Sequence, residues 1–455
     1  MRLYTHILVF CAVFLSSCAL TATSLKISQI DALSDNATNM GAFAGIERLA
    51  DRQTPDDIKR VNVFYIHGIG WTEDPKNVAL GRRFVSGVSE AYKYDLSGPR
   101  FAPKCSKLET DGGDEITNPA SIEITTAPVI YETIIPGAQL RVEKLVCMDR
   151  LIFRPVDDLE FTVYRVFWDD IFWDQIQEAH VGQDWDNEET LTIADTRKKY
   201  NRKLKDEMVN FGFSDAVMYL GPAGREIRLA VTGAMCAALL DASGTTFEIQ
   251  DNSISAQKAC SAIKHQPIAT NQFVFVSESL GSKIMFDVMR DIMTDETTNN
   301  LDKMIVGTEL YMMANQIALL SLSELNRGEA MLPAKFGASE RPRIIALTEI
   351  NDSLSYEINP FFENLWSQQY WSPDQPKREF DIPAREALSQ HLGFDFVDVR
   401  VEFADPMLGV LTGLANPLQA HKDHMKEKGI SKLILCGAEN GKRNDLGCLA
   451  VQTGK

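Results

Sequence analysis

Hydrophobic and polar positions along this chain switch between two periods. Short apolar or alternating runs recur at Val61–Ile66, Phe161–Trp168, Phe273–Val276, Glu309–Ala314, Arg343–Ile350 and Phe396–Phe403. They are rich in Val, Ile, Phe and Tyr and have strand length. Between them lie stretches whose apolar residues fall at helical spacing: 77–92, Ser214–Gly221, Ile227–Leu240, the residues after Leu280, and Ile317–Leu325. Strands alternating with helices predict an α/β chain, a mostly parallel central sheet with helices on both faces. The alternation breaks over residues 94–158, where Pro, Gly, Asp and Lys interrupt short β-like runs at Ser121–Ile124, Leu140–Val146 and Leu151–Phe153. That stretch reads as an insertion after the first βα unit, in part a hairpin. Residues 360–371 concentrate aromatics and read as a loop region that plugs the core or forms a lid. Met40–Leu49 reads as a short helix, and Lys432–Cys436 as a last strand.

One junction organises the rest. The run Phe273–Val276 stops at Ser277-Glu278-Ser279-Leu280-Gly281, and Ile284, Met285, Val288 and Met289 follow at helical spacing. A strand, a tight turn holding a serine between small residues, then a helix is the nucleophile-elbow layout. The small residues are needed because two backbones crowd the turn. Gly281 meets that need, and Ser277 stands where glycine is more usual. The strand end at Val276 puts Ser279 at the apex, Ser277 behind it and Ser282 in the helix.

The strand Val61–Ile66 runs into His67-Gly68-Ile69-Gly70. Glycines directly after a strand let a backbone turn aim N–H groups into a site. His67 reads as a brace of that turn rather than a base. Arg343–Ile350 ends in Asn351-Asp352-Ser353, which puts an acid just past a strand's C-terminal end. Asp352 is the candidate acid, with Glu349 and Glu357 as alternatives and capping of the turn as its plainer role. Beyond the strand Phe396–Phe403, the loop Asn416–His424 brings His421 as candidate base, with His424 beside it. His180, His265 and His391 are placed less aptly. Paired acids at Asp169-Asp170 and the mixed charges over 193–210 read as a rim and a solvated helix face.

The order oxyanion loop, Ser279, Asp352, His421 resembles the α/β-hydrolase superfamily over roughly residues 59–430. Asn351–Tyr356 and Asn416–His421 are similar to the acid and histidine segments of bacterial esterase/lipase-like members. The resemblance implies an α/β-hydrolase fold. It implies a Ser279–His421–Asp352 triad, with the amides of Ile69 and Leu280 as the oxyanion hole. The implied activity is hydrolysis of carboxylic esters, including lipid esters, through an acyl-enzyme, with no metal and no cofactor. A silent hydrolase scaffold used for binding or assembly, and an acyltransferase, are the other readings.

Charge and cysteines change the picture in two ways. The 455 residues carry a net charge of −17, without a basic stripe, which disfavours nucleic acid as a partner. Residues 1–17 combine Arg2, an apolar stretch Ile7–Leu15 too short to span a bilayer, and Leu15-Ser16-Ser17-Cys18. This resembles a bacterial lipoprotein signal, with lipidation at Cys18 and Ala19 directing the protein to the outer membrane, facing the periplasm. The plainer reading is a secretory signal with a chance cysteine. Residues 18–58 are then anchor and tether, 59–430 the hydrolase domain, and 431–455 a C-terminal strand and loop. Cys105, Cys147, Cys236, Cys260, Cys436 and Cys448 remain, an even set that suits an oxidising compartment. The pairs nearest in sequence, 105–147, 236–260 and 436–448, are the expected bridges.

Overall fold

The structure, a computed structural model, describes residues 25–32, 43–46, 59–68, 123–135, 140–156, 159–168, 213–244, 254–263, 273–294, 301, 305–327, 341–370, 382–407, 414–424 and 426–438. Its strands are β1 (Lys26–Ala32), β2 (Phe43–Ala44), β3 (Lys59–Ile66), β4 (Glu123–Ile135), β5 (Leu140–Val156), β6 (Leu159–Phe167), β7 (Ile254–Ser255), β8 (Phe273–Glu278), β9 (Glu309–Met313), β10 (Arg343–Glu349), β11 (Asp395–Glu402), β12 (Pro406–Met407), β13 (Leu414–Ala415) and β14 (Gly437–Ala438). Its helices are α1 (Ser214–Leu220), α2 (Ala223–Ala242), α3 (Ala256–Ile263), α4 (Leu280–Thr294), α5 (Ile317–Ser321), α6 (Ile358–Tyr370), α7 (Ile382–Leu392), α8 (Pro417–Lys422) and α9 (Lys428–Cys436), with a 3-10 turn at Leu322–Arg327.

Among the described residues one mixed sheet of ten strands dominates, in the order β1-β11-β10-β9-β8-β3-β6-β5-β4-β7. The six strands from β11 to β6 run parallel. Alternation along these strands decides which side each residue joins. Phe64, Ile66, Phe273, Phe275, Leu310, Met312, Ile344 and Ala346 pack under α2, α4, α5 and α6. Val63, Tyr65, Val274, Val276, Tyr311, Met313, Ile345 and Leu347 pack on the other side, against Phe43, Ile46 and α9. Both faces are covered, so the central strands read as near-continuous apolar runs.

The stretch expected as an insertion extends this sheet. Strands β4 and β5 form a long hairpin, and β5 pairs antiparallel with β6. Without β5, the outer edge of β6 would carry unpaired N–H and C=O groups. Arg150 Nη1 donates to Asp241 Oδ1 at 2.7 Å and Tyr164 Oη donates to Asp241 Oδ2 at 2.7 Å, fixing α2 over β5 and β6. Helix α2 is also tied to α3 by a Cys236–Cys260 disulfide, one of the three expected pairs. Cys436 is disulfide-bonded as well. Its expected partner Cys448, and the Cys105 expected for Cys147, lie outside the described residues, as do the helices expected at 77–92 and 193–210.

Three expectations are corrected. The tail segment expected as a strand is helix α9. Ile430, Leu433 and Ile434 recur at helical spacing and are buried, Glu427 caps the start by accepting from Gly429 N at 3.1 Å, and Gly437 ends it at φ 72°. The aromatic segment expected as a loop is helix α6. Phe362 packs 5.9 Å from Phe286 and 5.4 Å from Phe396, so this aromatic fills the core. Within the segment expected as a helix at Met40–Leu49, Phe43–Ala44 is strand β2, which pairs with β14.

Helix α6 starts on a buried carboxylate. Asp398 of β11 accepts from Ile358 N at 2.9 Å and Asn359 N at 2.8 Å. Burial pushes its carboxyl up to about 7 against those two N–H groups, with Glu357 and Asp31 adding to the rise. Asp398→Ala leaves both donors buried and unpaired and is expected to cost about 1–3 kcal/mol in urea unfolding. A folded value above the unfolded 3.8 favours folding at low pH and loses that contribution as pH rises. Relative to Asp398→Asn, the wild type is expected to lose stability between about pH 4 and pH 7, read from unfolding midpoints across that range.

Candidate active site

Every residue of β8 is buried. The strand ends at Glu278, and Ser279 takes φ 53°, a left-handed conformation that non-glycine residues rarely adopt. Helix α4 begins at Leu280. Ser279 N donates to Met313 O at 2.9 Å, so the ladder to β9 continues one residue past the strand. Ser282 N donates to Ser279 O at 3.0 Å and closes the first turn. Ser277 donates to Ser282 Oγ at 3.2 Å with both hydroxyls buried, which leaves Ser279 as the serine of the apex.

The turn is wedged against the end of β3. A Cβ on Gly281 would lie 2.4 Å from His67 O, and one on Gly68 would lie 2.5 Å from Ser279 Cβ. Real Cβ atoms do not approach that closely, so both positions admit only glycine in this geometry. His67 lies in the same wedge. Its carbonyl accepts from Trp168 Nε1 at 3.1 Å, its ring stacks on Trp168, and Nδ1 contacts Gly68 O at 2.7 Å. The imidazole is engaged with the turn it belongs to.

The candidate base and acid arrive from two other strand ends. Asn416 caps α8 by accepting from Gln419 N at 3.2 Å, with Pro417 in the first turn. His421 sits near the end of this short helix. Its Nε2 lies 2.8 Å from Ser279 Oγ, and its Nδ1 lies 2.8 Å from Asp352 Oδ2 and 3.0 Å from Oδ1. A carboxylate only accepts, so Nδ1 carries the proton and Nε2 is left to accept from the serine hydroxyl. The three side chains are buried. Burial alone would raise the Asp352 carboxyl. The His421 hydrogen bond and charge, with Leu354 N donating to Oδ1 at 2.9 Å, outweigh it and hold the carboxyl below its usual value.

The two alternative acids are occupied elsewhere. Glu349 accepts from Asn351 N at 2.6 Å, from Asn351 Nδ2 at 3.0 Å, and from the amides of Phe403 and Ala404 at 3.4 Å each. It brackets the loop that carries Asp352. Glu357 is paired with Arg400. The amide of Leu280 is the first of α4, beside the serine. Ile69 lies outside the described residues, as does Cys18. Among the described residues no group of three His, Cys, Asp or Glu is arranged to hold a metal ion. Nor is any of their helices long and apolar enough to cross a membrane.

No family model, no curated protein and no solved structure matches this chain.

Sequence reasoning passed over two supports. Ala314 takes φ 48° at the end of β9, next to the residue that receives Ser279 N. Nothing in an alanine signals such a conformation. Asn315 Nδ2 donates to Thr348 Oγ1 at 3.3 Å and Tyr356 O at 3.0 Å, tying that turn to the loop of Asp352. An asparagine after a strand was a visible turn signal, but its partner was not.

The wedge predicts a specific intolerance. Gly281→Ala is expected to force His67 and the elbow apart and to lower stability by about 1–3 kcal/mol, the range for overpacking. Urea unfolding of the purified variant checks it. An unchanged midpoint would contradict the close approach.

Proposed function

We propose that this chain is a serine hydrolase with an α/β-hydrolase fold, acting on carboxylic esters, lipid esters among them. The observation that carries the reading is the continuous array of Ser279 Oγ, His421 Nε2, His421 Nδ1 and the Asp352 carboxylate. Both its links are 2.8 Å, and it starts from a serine held at φ 53°. Strain of this kind persists only where surrounding structure enforces it, and it clusters at functional sites. The three residues follow the ends of β8 and β10 and the loop beyond β11, in the chain order Ser, Asp, His, which supports the superfamily reading.

A serine hydroxyl is a weak nucleophile at neutral pH and needs a base in hydrogen-bond reach. Ser279 Oγ attacks the ester carbonyl carbon as its proton passes to His421 Nε2. Asp352 keeps the ring in the Nδ1–H tautomer and stabilises the imidazolium. The carbonyl oxygen becomes an oxyanion, held by the amides of Leu280 and Ile69. The C–O bond to the alcohol breaks, and the alcohol leaves with the proton from His421. Water then attacks the acyl-enzyme by the same route and releases the acid and Ser279. Each step uses side chains, backbone amides and water alone.

The leader-like residues 1–17, Cys18 and the Cys236–Cys260 bridge support export as a lipoprotein, since such bridges persist in oxidising compartments. The membrane is then a partner through the N-terminal lipid.

A fluorophosphonate probe is expected to label the wild type and to leave Ser279→Ala unlabelled. On a soluble short-chain ester, His421→Ala is expected to lower kcat by about 10⁴-fold or more, and Asp352→Asn by about 10⁴-fold. Folded wild type that neither reacts with the probe nor turns over any short-chain ester would overturn the reading.

A further inference from the structure

Resting on the reading of His421 as general base, we infer that His424 is a positioning residue that fixes the turn presenting His421 to Ser279, through its Nδ1–H bond to the His421 carbonyl. Helix α8 has only six residues, and its last carbonyls have no partner within the helix. Asp423 N donates to Gln419 O at 3.0 Å, after which the chain turns away. The carbonyl of His421 is met by His424 Nδ1 at 3.3 Å. A carbonyl only accepts, so Nδ1 of His424 carries the proton.

The His424 ring is itself held from the far side. It is fully buried and stands edge-on to Phe403, with 5.0 Å between centroids and 87° between planes. Phe403 N is one of the amides collected by Glu349, the same carboxylate that brackets Asn351 beside Asp352. His424 therefore links the turn of the base to the bracket of the acid. A shift of either segment would be felt by the other through one ring.

The choice of imidazole supports a directional role. His424 Nε2 is buried and makes no hydrogen bond of good geometry, although the Leu347 carbonyl also faces the ring. A buried nitrogen without a good hydrogen bond is unfavourable, and phenylalanine or leucine would fill the same space without it. What those residues lack is the N–H. The ring is also kept neutral. Burial lowers its pKa to about 4, and the charge of His421 adds to this, while the Asp352 carboxylate and the His421 and Leu347 carbonyls pull the other way. A neutral His424 adds no second positive charge beside His421 at the moment His421 takes the serine proton.

Two substitutions in the full-length protein separate the N–H from the ring. His424→Asn keeps an N–H near the Nδ1 position. His424→Phe keeps an aromatic edge against Phe403 and removes the donor. With a soluble short-chain ester, His424→Phe is expected to lower kcat by about 10- to 100-fold, the effect of a displacement near 1 Å in a catalytic group. KM is expected to stay within about twofold, because no substrate contact is removed. The rate of fluorophosphonate labelling should fall in parallel, and thermal unfolding should stay close to wild type. His424→Asn should recover most of kcat. If His424→Phe unfolds, His424→Gln makes the same comparison, since its amide reaches the Nε2 position and does not donate to the His421 carbonyl. A kcat unchanged in His424→Phe, or equally low in His424→Asn, overturns the positioning role while wild-type labelling leaves the serine hydrolase standing. Wild type without labelling or turnover overturns both, and is told apart by failing before any variant is compared.

Discussion

The close approach of two backbones governs this structure. The end of β3 and the turn at Ser279 lie so near each other that a single added carbon at Gly68 or Gly281 would overlap its neighbour. Everything local follows from that contact. Ser279 must turn sharply to begin a helix in the space left, which places it at φ 53°. Such a conformation costs on the order of 1–3 kcal/mol and holds only if its surroundings are stiff. Stiffness comes from position. Strand β8 lies between β3 and β9 inside the parallel block, with helices packed on both faces. The hydrogen bond from Ser279 N to Met313 O then pins the strained residue itself. The serine is strained because it is central, and it can remain strained for the same reason.

A second layer of the design is polar. The C-terminal ends of β8, β9, β10 and β11 carry turns whose backbone groups need partners. The side chains that supply them also join one turn to the next. Asn315 links the end of β9 to Thr348 and Tyr356, and Glu349 links the end of β10 to Phe403 and Ala404. His424 links the turn after α8 to Phe403. Ser279, Asp352 and His421 come from segments far apart in sequence, yet each sits on a turn tied to its neighbour, Ser279 by its backbone bond to Met313 and the other two by buried side chains. Hydrogen-bond distances near 2.8 Å across all three demand such ties, because loops held only by apolar contact would drift by more than the bond allows.

What could be read from the chain divides along physical lines. The central strands were legible because β-branched and aromatic residues run without interruption between turn signals, as in Phe273–Val276 and Arg343–Ile350. Ser279 and Asp352 were legible as candidates because each stands in a turn just past a predicted strand, where an α/β sheet gathers ligands, and His421 because it follows the last main strand, in a segment read as a loop that is helix α8. The tail was misread because Lys432–Cys436 is too short for one period to outweigh the other; the helix shows only when Ile430 and the Glu427 cap are included. The aromatics of 360–371 gave no period of their own, and the helix they form is started from outside by Asp398. The hairpin β4–β5 was seen as an insertion because nothing in its sequence names β6 as its partner. Gly68 was noted as a glycine but not for its nearness to Ser279, since that depends on which strands pair. Local chemistry was readable; partnership between distant segments was not.

One buried group shows how far the elbow's orientation is enforced. Lys283 lies one turn into α4 and is fully buried. Its Nζ donates to Asp287 Oδ1 at 2.8 Å and to Glu324 Oε1 at 2.6 Å, while Tyr219 Oη donates to Asp287 Oδ2 at 2.6 Å. Arg290, a further turn along, completes the network near Glu324 and Asp287. Replacing such ion pairs by apolar residues is often neutral or stabilising, so net stability is a poor account of their presence. Direction is a better one. Apolar contacts tolerate rotation of a helix about its axis, because one methyl group substitutes for another. A cation held between carboxylates from its own helix and from the 3-10 turn does not, since rotation strands the charge in a dry interior. Ser279 directly precedes this helix, and a rotation that moved Lys283 would swing the serine hydroxyl away from His421. The glycine wedge fixes where the turn sits, and the Lys283 network ties the helix that follows it to Glu324 of the 3-10 turn.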